Sequence, residues 1–117
     1  MQETLDEVRE RFSQDRFATV NGAMIEAVDE GYAKCSMKLN DTHRNALGAV
    51  MGGAIFTLAD FAFAVASNWN KDPRVSLTAS ISFLGRAKGN KLIAEASKIR
   101  EGRKTCYYEI VVSDELG

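Results

Sequence analysis

Apolar positions change their period several times along the chain, and each change marks an element. Leu5, Val8 and Phe12 recur at helical spacing behind Thr4 and Glu7, a pair spaced as a capping box. A short amphipathic helix is therefore predicted over residues 4–14, within an N-terminal segment 1–16 that packs on the outside of the domain. Farther on the period falls to two. Ala33, Cys35, Met37 and Leu39 alternate with Lys34, Ser36 and Lys38, which predicts a hairpin of strands 23–28 and 32–39 around Asp29-Glu30-Gly31. Residues 40–50 read as a polar, glycine-containing loop. Residues 51–67 then hold a single ionisable group, Asp60, and their length and alanine content predict a helix apolar on nearly every side. Alternation returns in 74–84, where Leu77, Ala79, Ile81 and Phe83 interleave with Ser76, Thr78, Ser80 and Ser82. Two more strands follow at 91–100 and 104–112, joined through glycine turns at 88–90 and 101–103.

Helix, two strands, apolar helix, three strands is the order of an α+β fold: a curved antiparallel sheet wrapped around one central helix, in a single domain over residues 1–117. A helix this apolar needs more cover than five strands of this length supply. Gly52, Gly53, Ala54, Ala59, Ala62, Ala64 and Ala66 let a second backbone come close, so a homodimer with the helix near its interface is expected.

Charge and cysteine content narrow the function classes. Fifteen Lys+Arg against sixteen Asp+Glu give a net charge of −1, so no overall basic field draws nucleic acid or an anionic membrane. The longest apolar run, 54–66, is about thirteen residues and too short to span a bilayer. Cys35 and Cys106 are far apart with no CxxC pair, and the N-terminus lacks a signal-like apolar run. Free thiols in a cytoplasmic protein are the expectation.

Asp60 is the residue that asks for chemistry. A carboxylate within a buried helix loses several kcal/mol of hydration unless it is paired, and no Lys or Arg lies between Arg44 and Lys71. Either a facing strand satisfies it as a core aspartate, or it is a general base or nucleophile in a cleft. Before it, Asn45-Ala46-Leu47-Gly48-Ala49-Val50-Met51-Gly52-Gly53 leads into the helix, where unpaired N–H groups can hold a carbonyl oxygen. Gly52 and Asp60 are eight residues apart, roughly 12 Å along a helix axis, so two chains bring such groups onto one carbon more readily than one chain does.

Asn45-x-x-Gly48-x-x-Met51-Gly52-Gly53, then Leu58-Ala59-Asp60, then Phe83-Leu84-Gly85-Arg86-Ala87-Lys88-Gly89, resembles the hotdog-fold acyl-CoA thioesterases of the PaaI-like type over residues 23–117. The resemblance implies a hotdog fold and a thioester hydrolase. Asp60 stands at the family's catalytic carboxylate, Gly52 at the backbone N–H that polarises the carbonyl, and Asn45 at the loop asparagine that orients thioester or water. Ser76 stands at a hydroxyl that holds the water. These groups meet across a homodimer, which pairs further into a homotetramer. Substrate contacts fall to Met51, Gly53, Phe56 and Phe63, with Arg86 and Lys88 on the phosphates of coenzyme A. No metal and no separate cofactor is implied, since coenzyme A arrives as part of the substrate. Two departures stand out. Met51 replaces a common histidine, and a turn at residues 114–117 stands where the family adds a strand. Met51 motivates the rival reading, a non-catalytic acyl-CoA or small-ligand binding module. A related dehydratase is disfavoured because it needs an Asp/His pair and the one histidine, His43, lies outside the motif, where it reads as a solvated loop residue.

Overall fold

The computed structural model describes residues 3–68 and 77–117. The elements run α1 (Leu5–Phe12), α2 (Arg16–Val20), β1 (Ala23–Asp29), β2 (Tyr32–Lys38), a 3-10 turn (Asp41–His43), α3 (Gly52–Asn68), β3 (Lys91–Glu101) and β4 (Cys106–Asp114). The four strands form one antiparallel sheet in the order β1-β2-β3-β4, and α3 packs on all four.

Alternation explains how the helix docks. Ala33, Cys35 and Met37 of β2 stand opposite Ala96, Ala94 and Leu92 of β3, and all six are buried. Four of these six side chains are small, so Leu58, Phe61, Ala62, Val65 and Ala66 of α3 settle close to the sheet and complete the core. Residue Glu26 is the extra residue of a bulge in β1, between Ile25 opposite Cys35 and Ala27 opposite Lys34. Its carboxylate accepts a short hydrogen bond from the buried Ser36 hydroxyl, which holds it below the usual carboxylate range.

The N-terminal helix starts where the capping box places it: Glu7 N–H donates to Thr4 Oγ1 and Thr4 N–H to Glu7 Oε1, both at 3.2 Å. It does more than cover the outside. Val8 is fully buried, and the Phe12 ring meets Phe61 of α3 edge to face at 6.3 Å. The five-residue α2 that follows was not legible in the hydrophobic period.

Two expectations about the sheet change. The strand expected over 74–84 falls partly outside the described residues. Its described part, 77–84, takes no strand pairing and is exposed, so the sheet has four strands among the described residues. Alternation gives a segment two faces but not a partner, and no described strand of this chain bonds to it. The apolar helix is also not covered all round. Gly53, Phe56 and Asp60 recur at helical spacing along its exposed stripe.

The turn expected after β4 contains a device that the pattern did not show. Asp114 Oδ2 accepts the N–H groups of Lys88 and Gly89 at 2.7 and 2.8 Å, and the Glu115 carboxylate accepts those of Asn90 and Lys91. Residue 89 must be small here, since a Cβ would stand 1.8 Å from Glu115 Oε1. The Gly89 N–H holds Asp114 below the usual carboxylate range, and the Asn90 N–H does the same for Glu115. Carboxyls depressed in the folded state stabilise it above their unfolded pKa values, and that contribution disappears as pH falls through the folded values. Urea midpoints measured on the acid side of neutrality should therefore fall less steeply in an Asp114→Asn, Glu115→Gln variant than in the parent chain.

Candidate active site

The segment between β2 and α3 builds itself around two side chains. Asn40 Oδ1 accepts the Thr42 N–H at 2.9 Å and opens the 3-10 turn. His43 closes it: Nδ1 accepts the Asn40 N–H at 3.0 Å, so the proton sits on Nε2, which donates to the Asn21 carbonyl at 2.6 Å. This ring is 3% exposed, which corrects the expectation of a solvated loop histidine. A single histidine in a polar stretch gives no periodicity from which to read burial. Here it joins the loop to the turn before β1, and Met51 N–H donates back to its carbonyl at 2.8 Å.

Beyond it the backbone bridges Arg44 to Val50, and Asn45 fills the bend. Asn45 Oδ1 accepts the N–H groups of Leu47 and Ala49 at 3.0 and 3.1 Å, and its carbonyl accepts that of Gly48. Gly48 has φ 82°, in the left-handed region that glycine takes without strain. The oxygen of the Asn45 amide thus shapes the loop, and its NH2 group is the end left for a substrate or water.

The loop delivers the chain to the first turn of α3. Ala54 and Ile55 both donate to the Met51 carbonyl, while the N–H groups of Gly52 and Gly53 precede the first intrahelical bonds. These are the donors that a developing oxyanion needs, at the positive end of the helix dipole. Phe83 lies over them. A Cβ on Gly52 would stand 3.1 Å from its ring, so glycine is what lets the ring come so close. Phe83 was read as part of a strand and as the first residue of the motif that runs to Gly89, and its contact with Gly52 is not visible in periodicity. Met51 itself is 51% exposed beside the same turn.

Asp60 lies two turns farther along α3, exposed on the uncovered stripe rather than buried, which corrects the sequence expectation. Composition averaged over the helix concealed that its carboxylate belongs to the face the sheet does not reach. It lines an open cleft of about 460 Å³ with Asp15, Arg16, Phe17 and Ala18 on one side and Phe56, Thr57 and Phe61 on the other. Phe56 thus shares the cleft with Asp60. Phe63 does not line it; its ring packs edge to face on Tyr108 at 5.5 Å. Arg86 and Lys88 are exposed on the segment that leads into β3, and Gly53 is exposed beside Gly52. Ser76 lies outside the described residues. No group of three or more His, Cys, Asp or Glu among the described residues could hold a metal ion, and no described helix is long and apolar enough to cross a membrane.

Comparison with known proteins places the family and the fold. A family described as "Domain of unknown function (DUF4442)" matches residues 12–114. A protein of Archaeoglobus fulgidus, named for an inferred esterase activity, is 38% identical over 104 residues, covering 88% of this chain and 68% of its own. The acyl-coenzyme A thioesterase PaaI of Escherichia coli is 31% identical over 105 residues, covering 89% and 75%. The solved structure of that protein superposes with a TM-score of 0.82 at 27% identity, over 97% of this chain and 86% of the other. A Streptococcus pneumoniae protein described as a hypothetical thioesterase and solved with coenzyme A shares the fold, with a TM-score of 0.83 at 24% identity over 92% and 85%.

The latch at His43 is testable apart from chemistry. Removing the ring in His43→Ala leaves the Asn40 N–H and the Asn21 carbonyl without their partner, a loss of about 1–3 kcal/mol. Amide hydrogen exchange should then accelerate at Leu47, Ala49 and Met51 ahead of the β2–β3 ladder, whereas a purely global loss of stability would accelerate both together.

Proposed function

The chain belongs to the DUF4442 domain family and to the PaaI-like hotdog-fold acyl-CoA thioesterases, and from that membership we propose that it hydrolyses the thioester of a small or medium acyl or aryl group on coenzyme A. The observation that carries the proposal is the single helix with two candidate reactive positions, one at its start and one at its middle. Open N–H groups at Gly52 and Gly53 begin it, and Asp60 stands beside an aromatic-walled cleft farther along it.

In this reading the substrate carbonyl oxygen takes the Gly52 N–H, and the Asn45 NH2 group orients the thioester or the water. Asp60 either removes a proton from the attacking water or attacks the carbonyl itself. The carbon–sulfur bond then breaks, the electron pair leaves with the coenzyme A sulfur, and the thiolate is protonated to the free thiol; on the route of direct attack, water then hydrolyses the anhydride formed on Asp60, which releases the acid and restores the carboxylate. Ser76 is assigned the hydroxyl that holds the water, on the family resemblance alone. The separation of Gly52 from Asp60 along one axis supports a homodimer in which each site takes its N–H donor from one copy and its carboxylate from the other, with dimers pairing into a homotetramer. The exposed stripe of α3 supports the same reading, because Gly53, Phe56 and Asp60 are left for something other than this chain's sheet to cover. Phe56 and Met51 supply apolar contact to the acyl group. Phe63, packed on Tyr108, acts at one remove. Arg86 and Lys88 are the cations assigned to the coenzyme A phosphates.

One observation favours a second reading, a binding module without turnover: Met51 replaces a hydrogen-bonding side chain beside the carbonyl site and is half exposed there. Release of free thiol from acetyl, medium-chain and aryl coenzyme A thioesters separates the two readings. Under the thioesterase reading Asp60→Asn lowers kcat by about 10²–10⁴-fold while ester affinity is kept. Binding without release in the parent chain would instead select the module.

A further inference from the structure

Two glycines open α3, and the space beside them differs. A Cβ on Gly53 would meet nothing within 4 Å, whereas one on Gly52 would stand 3.1 and 3.3 Å from the Cζ and Cε1 atoms of Phe83. The ring therefore abuts Gly52 with its tip. Gly52 is not among the glycines with positive φ, so its backbone does not call for glycine, and room for the ring does. Phe83 belongs to a segment that bonds to no described strand, but the chain is tied down soon after it. Ala87 packs against the core, and the N–H groups of Lys88 and Gly89 donate to Asp114 of β4.

A neighbour of this kind matters because the first turn of α3 has little else to hold it. The N–H groups of Gly52 and Gly53 precede the first intrahelical bonds, and glycine gives the backbone more freedom than any other residue. From the loop, the Met51 N–H is tied to the His43 carbonyl at 2.8 Å. The Phe83 ring adds a contact from a segment distant in the chain.

We propose that Phe83 is a positioning residue for the Gly52 donor: its ring, lodged where a side chain at residue 52 would stand, restrains the turn so that the Gly52 N–H keeps one direction. Restraint counts at such a donor because a developing oxyanion gains most from an N–H already aimed at it. The consequence for turnover rests on the thioesterase reading, but the restraint itself does not.

Nitrogen-15 relaxation tests the restraint with no substrate present. In Phe83→Leu, which withdraws the ring tip, the order parameter of the Gly52 N–H should fall while those of the β2–β3 ladder match the parent, and an unchanged value at Gly52 overturns the proposal. Unfolding tests the same contact from the glycine. Alanine forms helix better than glycine, so Gly52→Ala should raise Tm in the Phe83→Leu background and lower it in the parent, where the new methyl meets the ring. The same shift in both backgrounds overturns the contact. With a thioester substrate, Phe83→Leu should lower kcat by about tenfold, short of the roughly 10²–10³-fold that follows loss of a donor, and leave KM unchanged. An unchanged kcat overturns the positioning role; if KM rises with it, the ring is a substrate contact instead. Absence of thiol release from the parent, with the relaxation change present, refutes the thioesterase reading and leaves the restraint standing.

Discussion

Everything in this fold follows from how closely one helix approaches one sheet. Alanines and a cysteine facing it from β2 and β3 leave room for Leu58, Phe61, Val65 and their small neighbours, so α3 is held hard on one side. That close seating has a consequence for the opposite side. The stripe through Gly53, Phe56 and Asp60 is turned away from the sheet, where a carboxylate keeps its hydration and an aromatic ring lines an open cleft. Core packing and cleft wall are thus two faces of one element.

The start of the helix is governed by a different kind of force. Hydrogen bonds rather than apolar burial shape residues 40–51: Asn40 opens the turn, His43 ties it to the turn before β1, and Asn45 fills the bend before the glycines. Polar bonding suits this task because it fixes directions, and a carbonyl-binding N–H group is useful only when aimed. Of the segments that flank the site, one is held in the same manner and the other by an apolar contact. Carboxylates at 114 and 115 grip the backbone of 88–91, and the Phe12–Phe61 contact fixes the entrance to α2.

The parts of this structure that repeat were legible in the sequence. Period-two alternation and the turn at 29–31 located the β1–β2 hairpin, glycine turns bounded β3 and β4, the capping box located the first helix, and a long alanine-rich stretch located the central one. Groups of residues that act at fixed spacing, Asn45 through Gly53 and on to Asp60, pointed to the family. What escaped were contacts between distant segments and elements too short to have a period. Helix α2 is five residues long. The burial of His43 depends on Asn21, and the place of Phe83 over Gly52 depends on a close approach that no local pattern encodes. Asp60 was read as buried because hydropathy averaged around a helix does not say which stripe the sheet covers. Segment 77–84 has the alternation of a strand, but a strand also needs an edge to bond, and that lies beyond local sequence.

The central claim is that donor and carboxylate of one site come from two copies of the chain, and subunit complementation addresses it most directly. Asp60→Asn and Asn45→Ala are each prepared, unfolded together in equal amounts and refolded, with heterodimer formation followed by tagging one variant. The account predicts that each variant alone is inactive and that the mixture recovers about a quarter of parental thiol release, because half the dimers are mixed and each mixed dimer contains one intact site. Heterodimers that form and remain inactive would contradict it.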